Sequence, residues 1–297
     1  MTDVAGRETL ASRDRGVPSE AGTFETPDGL RLFEQSWVPE TAPEAPPRAA
    51  VALVHGYGEH SGRYAHVAAF LTARGHAVYA FDQRGYGRSE GRRAFVDRFE
   101  HYLDDLSTFL RRVRDRAPGV PLFLMGHSMG GTVCARYWLE HRPDVAGLIL
   151  SSPFLHPGEA MPHLPLRLSS LASRLFPTFP TVRIRAEHLS RDQAVRADVD
   201  ADPLNVRGRV RARTGHEMVA AAASIRDRLE AVTLPFLVFH GTADCIADPR
   251  GSIELYRRAL GEDKTLGLYE GLFHETLNEP ERTQVLHELA AWLEEHL

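Results

Sequence analysis

Two stretches of the chain bring together residue types that could do chemistry. LFLMGHSMGG, Leu122–Gly131, is an apolar run followed by Gly-His-Ser-Met-Gly-Gly and then a helical pattern. Strand, tight turn and helix around G-x-S-x-G make a nucleophile elbow, which holds Ser128 at a helix N-terminus with its hydroxyl exposed. Gly126 and Gly130 are expected where a Cβ would collide with neighbouring backbone, and Gly131 where the helix must approach the sheet. The second stretch, ALVHGYGEHSGRY, Ala52–Tyr64, sets His55, Glu59, His60 and Arg63 among glycines. It fits either a metal site or a loop whose main-chain N–H groups face a reacting atom.

A serine hydroxyl is a weak nucleophile without a base, and the base needs an acid to orient it. On such an elbow the order along the chain is Ser, then Asp or Glu, then His. After Ser128, the apolar run in PFLVFHGTADC leads to Asp244, and the run in TLGLYEGLFHE leads to His274. Both fall past the ends of later strands, on the side of Ser128, and are the expected acid and base. Asp248 and Glu270 are rival carboxylates, but Asp248 is expected to cap the next helix and Glu270 still sits against its strand. Among the rival histidines, His240 lies at its strand's end before the loop turns, and His127 lies inside the elbow. Cys134 and Cys245 are expected as packing residues.

The metal alternative fails on spacing. A zinc protease would want H-E-x-x-H on a helix. His216-Glu217, His274-Glu275 and His287-Glu288 begin that pattern, but Ala220, Asn278 and Ala291 stand where the second histidine should be. His55 and His60 lie in a glycine-rich turn, a poor frame for fixed ligands. Acyl transfer instead needs two N–H donors at the carbonyl oxygen. One would come from Met129, the residue after the serine, and the other from the HGYG turn. No metal and no cofactor is expected.

These residues need a scaffold that holds strand ends side by side. Near-continuous apolar runs recur at Ala49–Val54, Ala77–Phe81, Leu122–Met125, Gly147–Leu150, Pro235–Phe239 and Thr265–Tyr269, as strands buried on both faces of a parallel sheet read. Helical patterns alternate with them at Arg63–Ala73, Phe99–Arg116, Gly130–His141, Arg250–Leu260 and Pro280–Leu297, which implies a mostly parallel, doubly wound α/β sheet. Gly22–Glu25 and Leu30–Trp37 flank an Asp28-Gly29 turn, an expected edge hairpin, and Pro39–Arg48 is a proline-rich loop. The alternation stops at Ser151 and resumes at Pro235. The expected organisation is a polar tail over 1–21, core over 22–152, a mostly helical cap over 153–232, and core again over 233–297.

Composition narrows the class. The chain has 297 residues, 43% of them hydrophobic, and a net charge of −5, with no basic nucleic-acid footprint. Two cysteines make no disulfide framework, and the first twenty residues hold no apolar signal segment. A cytoplasmic protein is expected, with peripheral membrane contact open to it.

HGYGEHSGRY, FDQRGYGRSEG, GHSMGG, HGTADCIAD and DKTLGLYEGLFHETLNE together resemble the monoacylglycerol lipase family of α/β-hydrolases, also labelled lysophospholipases or serine-aminopeptidase-like hydrolases. The likeness runs over roughly 22–297 and includes the cap stretch LSRDQAV…ADPL. It implies the α/β-hydrolase fold with a helical cap after the sixth strand, Ser128 as nucleophile, Asp244 as acid, His274 as base, and the main-chain N–H groups of Tyr57 and Met129 as oxyanion hole. Many relatives carry a smaller or apolar residue at Tyr57, so its ring is expected to narrow the acyl entrance. Glu59 and Arg63 are expected to brace the oxyanion loop through a salt bridge, or to contact the leaving alcohol as substrate-binding residues. Asp82 is expected as a loop anchor.

The implied activity is hydrolysis of single-chain acyl esters such as monoacylglycerols. A lysophospholipase or short-chain carboxylesterase remains open, as do a proline-iminopeptidase-like peptidase and a non-catalytic binding protein. Ser128 argues against dehalogenases and epoxide hydrolases, which place aspartate at the elbow. In the cap, Leu164, Leu168, Leu171 and Leu175 share one helical face flanked by Arg167 and Arg174. That face either packs on the core or rests transiently on a lipid surface. The arginines of VRGRVRAR are expected as a solvated face, with a phosphate-headgroup site as the sharper option.

Overall fold

The computed structural model describes residues 18–40, 45–161 and 165–297. Most of the expected tail, part of the proline-rich loop, and Leu164 lie outside them.

Eight strands form one sheet: β1 (Glu20–Glu25), β2 (Arg31–Trp37), β3 (Ala50–Val54), β4 (Ala77–Phe81), β5 (Leu122–His127), β6 (Gly147–Ser151), β7 (Phe236–Gly241) and β8 (Lys264–Tyr269). The order across the sheet is β1-β2-β4-β3-β5-β6-β7-β8. β1 and β2 are the expected antiparallel hairpin, with Gly29 at φ 86° in its turn, and β2 runs antiparallel to β4. All other pairs are parallel. The strands that follow β3 go first to one side of it and then to the other, and a crevice opens at such a switch, beyond the carboxyl ends of the strands. Here it opens beyond β3 and β5.

Helices α1 (Ala65–Thr72) and α8 (Arg282–Glu295) cover one face, where Leu53, Phe123, Leu71, Leu289 and Trp292 share a core. On the other face lie α2 (Glu100–Arg116), α3 (Met129–His141), α6 (Ala212–Arg226) and α7 (Arg250–Arg258). With both faces covered, β3 through β7 are buried along their length, which is why they read as unbroken apolar runs.

β8 departs from that expectation. Its residues are half-buried or exposed, because it is the edge of the sheet. Two helix starts also differ. A single 3₁₀ turn, Ser61–Tyr64, precedes α1, and another, Thr276–Asn278, comes before α8 begins at Arg282. Between β6 and β7 run α4 (Leu166–Leu175), α5 (Gln193–Ala201) and α6. The last of these buries Met218, Ala221, Ala222 and Ile225 in the core, α4 packs against it, and the stretch from Arg183 to Arg209, with α5 inside it, lines the crevice.

In α4 the leucines face outward. Leu168, Leu171 and Leu175 are 55%, 56% and 62% exposed, while Ser173 is buried and Ser169 Oγ lies 2.8 Å from His216 Nδ1 of α6. The small polar side of the helix packs inward. Phe176 and Phe179 continue the exposed apolar surface.

Candidate active site

β5 ends in the elbow, and its backbone leaves no alternative to glycine at two positions. A Cβ on Gly126 would stand 2.4 Å from the Gly130 carbonyl oxygen, and one on Gly130 2.1 Å from that of Val54. Ser128 itself sits at φ 50°, ψ −117°, a strained conformation for a residue with a Cβ. A Cβ on Gly131 would stand 2.9 Å from Pro153 Cβ, just past β6, and 3.2 Å from the Gly126 carbonyl oxygen of β5, so the helix does approach the sheet closely here.

Three strand ends converge here. His274, in the loop after β8, has Nε2 2.8 Å from Ser128 Oγ and Nδ1 2.6 Å from Asp244 Oδ2, in the loop after β7. All three side chains are buried. Asp244 Oδ1 accepts from the main-chain N–H groups of Ile246 (2.8 Å) and Ala247 (3.0 Å). Burial opposes ionisation of Asp244, but the His274 ring and the hydrogen bonds from His240 and His274 outweigh it and hold the carboxyl well below the usual range. Burial likewise works to lower the His274 pKa. The Asp244 charge and hydrogen bond, helped by Glu275 and Glu59, reverse that and leave it above the ordinary histidine value. His127 goes the other way: burial, then the neighbouring His274, pushes it down to about 4. Its Nδ1 lies 3.1 Å from both the carbonyl and the hydroxyl oxygen of Ser151, so this rival histidine is spent within the elbow.

The rival carboxylates fall away too. Asp248 accepts from Arg250 N at the start of α7 (2.9 Å) and pairs with the Arg250 guanidinium. Glu270 follows β8 directly.

Past β3, Tyr57 lines the cavity that also holds Ser128, and Met129 is the first residue of α3, whose N–H has no partner within the helix. No hydrogen bond among the described residues takes either main-chain N–H. Gly56 N donates to Glu59 Oε1 (2.6 Å), which also accepts from Tyr64 Oη (2.7 Å). Glu59 Oε2 takes Arg63 at 2.9 Å, and Arg63 grips both oxygens of Glu275 at 2.7 Å. The residue beside the base is thus tied to the loop that presents Tyr57. Glu59 and Arg63 form the expected brace, and both also line the cavity over Ser128. The Tyr57 ring packs edge-on to Tyr86 at 5.6 Å.

The histidines of the glycine-rich turn are engaged separately. His55 contacts Gly56 O through Nδ1 (2.8 Å) and accepts from Gln83 N at Nε2 (2.9 Å), while His60 Nε2 meets Asp202 Oδ2 of the cap at 2.9 Å. Asp82 accepts from Ser61 N, Ser61 Oγ and Arg88 N, as a loop anchor does.

Some links were not legible in the sequence. His240 Nε2 lies 3.0 Å from Asp244 Oδ2, the same oxygen that meets His274. Glu279, fully buried, accepts from Phe273 N (2.7 Å) and Arg191 N (3.1 Å), and Leu189 O accepts from Glu275 N (2.8 Å), joining the cap to the His274 loop. His240 stood four residues before Asp244, a signal that was visible but ambiguous. The cap links join residues more than 80 positions apart.

A buried Asp–His–Ser chain that lines a crevice can activate the serine hydroxyl for attack. The family model for serine aminopeptidase, S33, matches residues 45–281. The chain is 34% identical to the monoacylglycerol lipase of Mycolicibacterium smegmatis over 97% of its own length and 100% of that protein. It is 33% identical to the monoglyceride lipase of Homo sapiens, over 90% of this chain and 88% of the relative. A soluble variant of the Saccharomyces cerevisiae monoglyceride lipase, solved with a substrate analog, superposes with a TM-score of 0.85 at 26% identity, over 96% and 97% of the two chains. The chain belongs to the monoacylglycerol lipase family of α/β-hydrolases, within the broader serine aminopeptidase S33 family.

Proposed function

We propose that the protein is a cofactor-independent serine esterase that hydrolyses single-chain acyl esters of the monoacylglycerol class. The observation that carries this is the chain of side-chain contacts from Ser128 Oγ to His274 Nε2, 2.8 Å, and from His274 Nδ1 to Asp244 Oδ2, 2.6 Å. The names of the similar proteins point to the substrate class.

In the first half-reaction Ser128 Oγ attacks the ester carbonyl carbon and passes its proton to His274 Nε2. The carbonyl π pair moves onto oxygen, where the N–H groups of Tyr57 and Met129 meet it. Asp244 keeps the Nδ1–H tautomer and stabilises the imidazolium. The C–O bond to the alcohol then breaks, and His274 returns its proton to the departing oxygen. In the second half, water gives a proton to His274 and attacks the acyl-Ser128 carbonyl. The carboxylic acid leaves and Ser128 recovers its proton.

The exposed face of α4 suits a substrate that lives in a lipid interface. Each Leu or Phe fully removed from water contributes about 1.5–3 kcal/mol, so Leu168, Leu171, Leu175, Phe176 and Phe179 favour resting on a lipid surface, with Arg167 and Arg174 flanking them. No helix of the described residues is long and apolar enough to cross a membrane, so such contact would be peripheral.

The test is a substrate panel of monoacylglycerols, a p-nitrophenyl ester and an aminoacyl amide, with and without EDTA. Preference for monoacylglycerol, unaffected by EDTA, is expected. Preference for the amide, or activity lost on chelation and restored by zinc, would overturn the assignment.

A further inference from the structure

The cavity over Ser128, about 680 Å³, is rimmed by more positive charge than the chemistry uses. Its cap wall carries Arg183, Arg185, Arg196, Arg207 and Arg209. Arg185 is paired with Glu187 at 2.9 Å. The other four have no carboxylate partner among the described residues. Arg196 and Arg209 donate to the carbonyls of Ser190 and Thr181, and Arg207 reaches the Asp202 carbonyl only at 3.5 Å. From the floor, Glu59 and Glu275 line the same cavity, but both are turned onto Arg63. Asp200 is the one lining carboxylate left to offset four guanidiniums. The excess is local: residues 153–232 hold twelve arginines against nine carboxylates, in a chain of net charge −5.

Guanidinium is charged at every working pH and matches phosphate or carboxylate oxygens two at a time, and a walled cleft focuses such a field onto what enters it. A neutral glycerol ester would leave these groups unanswered. We propose that the favoured substrates are single-chain esters bearing an anionic group, a phosphate above all, that reaches the cap arginines while the carbonyl sits at Ser128. This rests on the esterase reading and names its substrate class.

The test compares an acylglycerol with the acylglycerol phosphate of the same chain, both below their aggregation limits so that no lipid surface is present. For the wild type, kcat/KM is expected to be about ten-fold higher for the phosphate ester at low ionic strength and to converge on the neutral ester as salt rises. Glycerol phosphate is expected to compete, and inorganic phosphate to compete more weakly. In the exposed double variant Arg207→Glu with Arg209→Glu, the ratio between the two esters should fall to about one or below. A wild-type ratio of one, or a ratio the variant leaves unchanged, overturns the proposal. So does a variant that loses only binding to anionic vesicles, since the arginines would then serve a membrane. If neither ester nor a nitrophenyl ester is turned over, the esterase assignment itself has failed, a distinguishable outcome.

Asp244 Oδ2 meets two imidazoles, His274 Nδ1 at 2.6 Å and His240 Nε2 at 3.0 Å. His240 Nε2 is also 3.0 Å from Ala247 O, and both neighbours only accept, so this nitrogen carries a proton. Nδ1 of the same ring lies 2.7 Å from Ser252 Oγ, and both side chains are fully buried. We infer that His240 is a positioning residue, which fixes the Asp244 carboxylate and, by donating to the shared oxygen, moderates its pull on the His274 imidazolium. The other charged and titratable groups around His274 are Glu275 on its own loop, Glu59 and Arg63 past β3, and His127 in the elbow.

Removing the donor should leave Oδ2 more negative toward His274 and raise the pH midpoint of kcat/KM. His240→Phe is expected to move it upward by about half to one unit, and His240→Gln, which keeps an N–H donor, to bring it back. Ser252→Ala, a milder change, should shift it in the same direction by less. A midpoint unmoved in all three variants, with only stability affected, would reduce His240 to a packing residue.

Discussion

The floor of the crevice and the cap above it are built on opposite plans. On the floor, Asp244 accepts four hydrogen bonds, Arg63 neutralises two carboxylates, and Ser128, His274 and Asp244 are all buried. In the cap, α4 turns its serines inward and its leucines outward, and four arginines of the cavity wall lack carboxylate partners among the described residues. A buried polar network is costly unless every member is satisfied, and once satisfied it holds one geometry. The cap's outward leucines and its arginines bound only to main-chain carbonyls are the groups with charge or apolar surface left for something else. On the proposed reading, the floor makes and breaks bonds and the cap chooses the substrate.

Breaking the floor should cost most. Ser128→Ala is expected to lower kcat by about five to six orders of magnitude, with little change in Tm, read on a nitrophenyl ester. Asp244→Asn should cost about four orders through the wrong imidazole tautomer, whereas Asp248→Asn, at the start of α7, should cost little. If the two carboxylates exchanged effects, the acid would be misassigned.

Arg63→Gln strikes the brace. It leaves Glu59 and Glu275 buried without their cation, a change of the kind that destabilises by about 3–5 kcal/mol, so a clear fall in Tm is expected alongside the loss of activity. Leu168→Ser with Leu171→Ser should do the reverse. As exposed substitutions they should move stability by about 0.5 kcal/mol or less each, yet reduce vesicle binding and hydrolysis of long-chain monoacylglycerol several-fold, with a short soluble ester much less affected. A collapse in Tm, or equal losses on both substrates, would make the leucines core and erase the contrast.

The pH profile gives the smallest effect. A general base works only when neutral, so kcat/KM should rise with pH through the His274 ionisation. Because Asp244 raises that pKa, the midpoint should lie above the ordinary histidine value of about 6.5. A midpoint below it would mean burial prevails over the carboxylate.

Both plans were unequally legible in the sequence. The elbow could be read because strand, glycines, serine and helix are contiguous, and Asp244 and His274 because each lies just past an apolar run. The bond from Arg63 to Glu275 spans 212 positions, and no local pattern announces it. His240 was visible but ambiguous, since a histidine at a strand end does not reveal that a second imidazole will share the acid. For α4, leucine spacing told which residues share a face but not which way it turns. The inward serines, one of them meeting His216 of α6, decide that in the folded chain. β8 read as buried because apolar content does not distinguish an edge from an interior strand.

The central claim is that Ser128, driven by His274, forms a covalent acyl bond. Intact-mass analysis after treatment with a fluorophosphonate tests it most directly. One adduct per chain is expected, mapped to Ser128, absent in Ser128→Ala and formed much more slowly in His274→Ala. No adduct on the folded wild type, or full labelling of Ser128→Ala at another residue, would contradict it.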